Sequence, residues 1–267
     1  MTGDPRPEAP GCTIAIANQK GGVGKTTTAI NLAAALAAVD KRVLVLDLDP
    51  QGNASTGLGI PRAERRRGSY DVLSGASAVD AVAQPTEIPG LAIVPATADL
   101  SGAEIELATQ PRRVYRLRDA LTRPDALAGY DYTLIDCPPA LGLLTLNALA
   151  AADRVLVPLQ CEFLALEGLS QLVRTVERVR ASYNAGLKIQ GIVLTMYDSR
   201  NRLSALVADD VRGYFQDAVF ETVIPRNVRV SEAPSHGKPL LLYDHRCSGA
   251  LAYMHLAGEM LRREKAA

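Results

Sequence analysis

A run of β-formers, Thr13-Ile14-Ala15-Ile16-Ala17, leads into Asn18-Gln19-Lys20-Gly21-Gly22-Val23-Gly24-Lys25-Thr26-Thr27. An Ala/Leu-rich stretch without proline then runs from Thr26 to Val39 and reads as a helix. Strand, glycine-rich loop and helix in that order make a phosphate-binding unit. The usual pattern is G-x-x-x-x-G-K-[ST]. Here Gln19 replaces the first glycine, and a second lysine, Lys20, precedes the glycines. The physics survives the change. Gly21, Gly22 and Gly24 let the backbone approach an anion with several N–H groups at once. The helix adds the positive end of its dipole. Lys25 supplies a point charge for the β- and γ-phosphates, and the Thr26 hydroxyl is placed to ligate Mg²⁺. A dinucleotide loop, G-x-G-x-x-G, fails because Thr27 occupies the third glycine's place.

The rest of the chain extends this unit into an α/β protein. Arg42-Val43-Leu44-Val45-Leu46-Asp47 is almost unbroken apolar, as a strand buried on both faces requires. Further strands are expected at Leu91–Val94, Tyr132–Asp136, Arg154–Leu159, Gln190–Met196 and Thr222–Ile224. Leu166, Leu169, Leu172, Val173, Val176 and Val179 recur at helical spacing, as do Leu206, Val207, Val211, Tyr214 and Phe215, and both sets read as core-facing stripes. A last helix is expected from about Gly249 to Arg263, and Gly52 to Pro89 as loop with short helices. The alternation predicts a doubly wound, mostly parallel sheet with helices on both faces, its ligand at the carboxyl ends of the strands. Hydrophobic residues make up 48% of the chain but aromatics only 4%, so the core must be aliphatic. The expected organisation is a flexible tail over residues 1–11 and a single domain built on the phosphate-binding loop over 12–267.

Charge and cysteines narrow the function classes. Net charge is zero, so any nucleic-acid surface must be a local patch. Cys12, Cys137, Cys161 and Cys247 are scattered without C-x-x-C, which argues against a disulfide framework or zinc site and for a reducing, cytoplasmic setting. The polar start of the chain lacks the apolar run of a signal peptide. No apolar run approaches the roughly 20 residues of a membrane span.

Three more clusters close strands. Asp47-Leu48-Asp49-Pro50-Gln51-Gly52-Asn53 can set two carboxylates beside a phosphate site. Leu134-Ile135-Asp136-Cys137-Pro138-Pro139 has the form of a Walker B strand and would place Asp136 on the Mg²⁺ shell through water. The third is Ile224-Pro225-Arg226-Asn227-Val228-Arg229. Together with the Lys20–Thr27 loop, these motifs resemble the ParA/Soj chromosome-partitioning ATPases, members of the deviant-Walker-A class that also holds MinD-type proteins and the nitrogenase iron protein. The resemblance runs from about Thr13 to about Met260.

The resemblance implies an ATP-sandwich homodimer with ATP and Mg²⁺, in which Lys20 crosses to the partner's phosphates. It implies that Asp49 orients the attacking water, that Asp47 supports the Mg²⁺ shell, and that Pro50 borders the nucleotide. By similarity Met196, Pro225 and Asn227 surround the adenine. It further implies nonspecific binding of double-stranded DNA by the ATP dimer, a ParB-type centromere-binding partner that stimulates slow hydrolysis, and a nucleoid-associated location. Arg200 and Arg229 match the family's DNA positions best, with Arg202, Lys238 and Arg246 as neighbours. Between Asp198 and Arg246, seven basic residues face seven acidic ones, so composition alone marks no patch. The short stretch before the loop leaves no room for a regulatory DNA-binding domain and favours the chromosomal type.

Three alternatives are weaker. A MinD-type membrane-associated ATPase needs a terminal helix with bulky apolar and basic faces, and Leu256 to Lys265 has few bulky residues and two glutamates. An iron–sulfur protein needs a second cysteine to join Cys137. A tyrosine-kinase relative would cluster its tyrosines near the end, and here they are dispersed. The segment Ser101 to Arg118, with Arg112, Arg113, Arg116 and Arg118, reads equally as a partner surface or a plain amphipathic helix.

Overall fold

A computed structural model of the protein describes residues 11–162 and 165–266. The expected tail, apart from Gly11, lies outside them. Eight strands are described: β1 (Cys12–Ile16), β2 (Val43–Asp47), β3 (Gln84–Pro85), β4 (Leu91–Val94), β5 (Tyr132–Asp136), β6 (Arg154–Gln160), β7 (Lys188–Tyr197) and β8 (Val219–Pro225). The helices are α1 (Lys25–Ala37), α2 (Asn53–Gly57), α3 (Ser69–Ser74), α4 (Ala103–Ala108), α5 (Arg116–Leu121), α6 (Leu143–Ala151), α7 (Ala165–Ser182), α8 (Arg202–Phe215), α9 (Val228–Glu232), α10 (Leu240–Tyr243) and α11 (Ser248–Ala266).

The strands form one sheet in the order β3-β4-β2-β5-β1-β6-β7-β8. Only β3 pairs antiparallel. That two-residue strand was not expected, and its Pro85 is tolerated because the strand is an edge. Side chains alternate across the sheet. Ile14, Ile16, Val43, Val45, Leu134 and Leu156 face α1 and α11, while Ala15, Leu44, Leu46, Ile135, Val155 and Val157 face α6, α7 and α8. Alanines let α1 lie close between the sheet and α11, and nearly its whole surface is buried. The α7 stripe behaves as expected, with Leu169, Leu172, Val176 and Val179 buried.

The α8 stripe does not. Val207 and Val211 are buried, but Leu206 is 52% and Tyr214 76% exposed. Leu206 lies about 100° of helix from Val207, and Ala208 fills the core side instead; Tyr214 shares the line of Val207 but stands in the last turn of α8.

The topology assembles the site. The chain leaves β1 for β2 two places away, and β5 later fills the gap. The loops leaving β1, β2 and β5 therefore lie side by side, with Asp136 in register with both Ile16 and Asp47.

Candidate functional site

The loop between β1 and α1 is pinned from both sides. Asn18 Nδ2 donates to Pro158 O at 2.8 Å, and its Oδ1 accepts from the Lys20 amide at 3.1 Å. Thr195 Oγ1, on β7, donates to Val23 O at 2.8 Å. Gly22 and Gly24 have φ of 76° and 89°, which side chains resist. Gly24 is the N-cap of α1 and brings no side-chain hydrogen bond, so the first amides of the helix are left for a ligand.

The two lysines differ sharply. Lys25 is 6% exposed, and its Nζ donates to Lys20 O at 3.0 Å. Burial lowers its pKa, while Asp136 pulls the other way. The Lys20 side chain is 44% exposed on the rim and pairs with Glu162, just past β6.

Three carboxylates face this loop. Asp47 is fully buried; its oxygens accept from the Ser55 amide (2.8 Å), Ser55 Oγ (2.6 Å) and the Asp49 amide (3.2 Å). Burial pushes its pKa up to about 6, against the pull of the Ser55 bonds. Asp49 Oδ1 accepts from the Gln51 amide at 3.0 Å. Asp136 is also fully buried, and neither of its oxygens has a hydrogen-bond partner. Burial, then the neighbouring Asp47 charge, hold its pKa well above the carboxylate range; the nearby Thr26 hydroxyl and Lys25 ammonium partly offset this.

An orphaned, buried carboxylate beside a hydroxyl suits a divalent cation. Among the described residues, however, no three His, Cys, Asp or Glu side chains are close enough to hold a metal by themselves. That is the pattern of Mg²⁺, which takes one or two protein groups and fills its octahedron with water and phosphate oxygens.

A cavity of about 100 Å³ opens beside the loop, lined by Gly24, Thr27, Met196, Pro225, Asn227 and Tyr253 among others. The three expected adenine residues are thus brought together at one wall. Met196 has φ 50°, a conformation non-glycine residues adopt only where the surroundings impose it. Asn227 caps α9 by accepting from the Arg229 amide at 2.8 Å and donates to Ser248 Oγ at 2.9 Å. Pro50 sits across the site, in a different cavity with Gln51 and Arg65.

The five basic residues divide. Arg200 pairs with Asp198 at 3.0 Å, and Arg202 begins α8 beside it. Arg229 pairs with Glu232 (2.8 Å) and lies 3.6 Å from Asp244, whose Oδ1 accepts from the Arg246 amide. Lys238 is 4.0 Å from Glu87 and shares no described partner with the others. The arginines of 112–118 serve their own chain. Arg113 donates to Ala108 O, Arg116 to Leu73 O and Ser74 O, and Arg118 to Tyr183 O, each at the end of a helix, while Arg112 pairs with Asp119.

Several site residues escaped the sequence reading. Glu162, Thr195 and Tyr253 meet the site from afar, Glu162 lying 142 residues from Lys20 and Thr195 lying 172 from Val23, and Arg65, only 13 residues from Gly52, is hidden among exposed arginines. No local pattern marks such partners.

The fold and loop define a P-loop nucleotide-binding protein of the class that carries a second lysine ahead of the glycines. Residues 11–189 match the AAA domain family. The chromosome partitioning protein ParA of Caulobacter vibrioides is 65% identical over 252 residues, 94% of each chain. The sporulation initiation inhibitor protein Soj of Bacillus subtilis is 54% identical, covering 94% of this chain and 98% of that one. Among solved structures, a Mycobacterium smegmatis protein named cobyrinic acid a,c-diamide synthase, with bound ADP and magnesium, aligns at a TM-score of 0.83 and 39% identity over 96% of each chain. The chain belongs to the ParA/Soj family of chromosome-partitioning ATPases.

Proposed function

We propose that this protein is a DNA-segregation ATPase that binds ATP and Mg²⁺ between two copies of itself. The observation that carries this reading is the contrast between the two lysines. Lys25 is buried within its own loop, whereas the Lys20 side chain stands half-exposed on the rim. A cation supplied in trans would neutralise the partner's triphosphate, as an arginine finger does. The loop amides of Gly21, Gly22, Val23, Gly24 and Thr27 cradle the phosphates. Thr26 and Asp136 are the residues that would hold Mg²⁺. Asp47, its oxygens already taken, acts as a neighbouring charge. The bound ion supplies charge neutralisation at the phosphates. Asp49 orients the attacking water, ATP and water give ADP and phosphate, and loss of the γ-phosphate opens the dimer. Met196, Pro225 and Asn227 hold the adenine.

Dimerisation would set two weak basic surfaces side by side on duplex DNA: Arg200 and Arg202 with Arg229 and Arg246, and Lys238 at the margin. A ParB-type partner would stimulate turnover. The MinD-type membrane reading is disfavoured by α11, which buries Ala250, Tyr253, Leu256, Ala257 and Met260 against the fold. No described helix is long and apolar enough to cross a membrane. An iron–sulfur role is disfavoured by Cys137, 1% exposed and with a thiol that burial holds strongly protonated.

Light scattering after size exclusion, with ADP, ATP or no nucleotide, tests the core of this reading. A doubling of mass with ATP alone, lost in Lys20→Ala, is the expected result. Dimerisation of Lys20→Ala with ATP at wild-type concentration would overturn the sandwich. Sedimentation with anionic liposomes and ATP should leave the protein in the supernatant.

A further inference from the structure

Arg65 is the one arginine among the described residues that is nearly buried, at 9% exposed. It stands in a loop of exposed arginines, Arg62, Arg66 and Arg67. An arginine withdrawn from water needs its donors filled. Arg65 fills them on a single stretch of chain, from Gly52 to Ile60. Its Nη1 donates to Gly52 O at 3.1 Å and its Nη2 to Thr56 Oγ1 at 2.7 Å. Its Nε and Nη2 both donate to Ile60 O, at 3.0 and 2.7 Å.

That stretch begins at the turn bearing Asp49. The Gly52 amide donates to Asp49 O at 2.8 Å, and the Gln51 amide to Asp49 Oδ1 at 3.0 Å. Gly52 O, the atom that Arg65 grips, also accepts the Thr56 amide that starts α2. Gly52 has φ 66°, and a Cβ there would run into Arg65 Nη1. The glycine of the Asp49-Pro50-Gln51-Gly52 turn therefore serves two ends: it permits the turn, and it lets the guanidinium reach the carbonyl.

We infer that Arg65 is a positioning residue for hydrolysis: its forked guanidinium locks the Asp49 turn to α2, so that the carboxylate stays aimed at the nucleotide. The inference rests on the proposed role of Asp49. It touches neither the loop of Lys20 to Thr27 nor the adenine wall, so any effect on nucleotide affinity is confined to the edge that Pro50 supplies. Displacements of about 1 Å in such turns cost orders of magnitude in rate.

The test uses the full chain with Arg65→Ala, Arg65→Lys and, separately, Asp49→Ala. Steady-state ATP turnover is measured alongside binding of a fluorescent ADP analogue and thermal melting. Expected for Arg65→Ala is a fall in kcat of roughly tenfold or more, with KM and ADP affinity within about twofold of wild type. Arg65→Lys, which keeps the charge but not the fork, should fall between the two. A cavity of about 330 Å³ lined by Pro50, Gln51, Arg62, Arg65 and Thr97 adjoins the clamp. Methylguanidinium should enter through it and restore part of the Arg65→Ala turnover. An unchanged kcat in Arg65→Ala overturns the inference. So does a parallel fall of kcat, ADP affinity and melting temperature with no rescue by methylguanidinium. If Asp49→Ala hydrolyses ATP normally, it is the role of Asp49 that fails.

Discussion

Lys20 and Lys25 are the same side chain five residues apart, and their surroundings assign them different tasks. Lys25 is locked into the loop it serves. Lys20 is held by Glu162 of its own chain, a pair that is 44% and 33% exposed on its two sides. A half-exposed ion pair contributes up to about 1 kcal/mol, enough to restrain the lysine and too little to keep it from a triphosphate. If Lys20 must let go of Glu162 to cross to a partner, the carboxylate competes with dimerisation. Because a symmetric dimer frees two such pairs, Glu162→Gln should then lower the protein concentration needed for the ATP dimer by up to about thirtyfold. Analytical ultracentrifugation over a dilution series reads this directly. A dimer that forms no more readily, or less readily, in Glu162→Gln would mean the pair does not restrain Lys20. Lys20 itself was legible in the sequence because it sits inside a contiguous motif. Glu162 was not, because nothing near Cys161-Glu162 announces a partner 142 residues upstream.

Elements were read in proportion to how local their causes are. β4 and β5 fall where the apolar runs placed them, Leu91–Val94 and Tyr132–Asp136. β8 was expected as three residues and spans seven, Val219–Pro225, because part of its support comes from α11 and not from its own pattern. Glu259, 5% exposed on α11, accepts the amides of Glu221 (2.8 Å) and Thr222 (2.9 Å) and pairs with Arg263. This carboxylate satisfies amides of an edge strand that would otherwise invite another strand. Burial pushes the Glu259 pKa up, but the hydrogen bonds from Thr222 and Glu221 and the Arg263 charge outweigh it, leaving the value below the ordinary 4.5. A depressed folded pKa means that the stabilisation is present above pH 4.5 and is lost as pH falls through the folded value. Glu259→Gln should therefore cost about 1–3 kcal/mol at neutral pH. In urea titrations the gap between the two proteins should close as pH drops below 4.5. A gap that stays constant down to acid pH would show that shape, not charge, holds β8 to α11.

For the whole molecule, a net charge of zero means that long-range attraction cannot bring this protein to DNA. The local groups are themselves compromised, with Arg200 held by Asp198 and Arg229 by Glu232. Such surface pairs are weak enough for phosphates to displace, but one protomer then offers only a few contacts. Two protomers locked by ATP, as proposed, would double them, and the second set would bind at high effective concentration. If Arg200 and Arg229 each meet one phosphate, a dimer neutralises about four. The logarithm of affinity should then fall with the logarithm of salt at a slope near −3.6. Replacing Arg229 by Ala removes two contacts per dimer and should flatten that slope by about 1.8, across all duplex sequences alike. Fluorescence anisotropy of a labelled random duplex, with the ATP dimer held constant by checking its mass, measures both slopes. An Arg229→Ala slope equal to wild type would move the DNA surface elsewhere, while a flattened slope with a preserved dimer would tie the ATP state to DNA through charge alone.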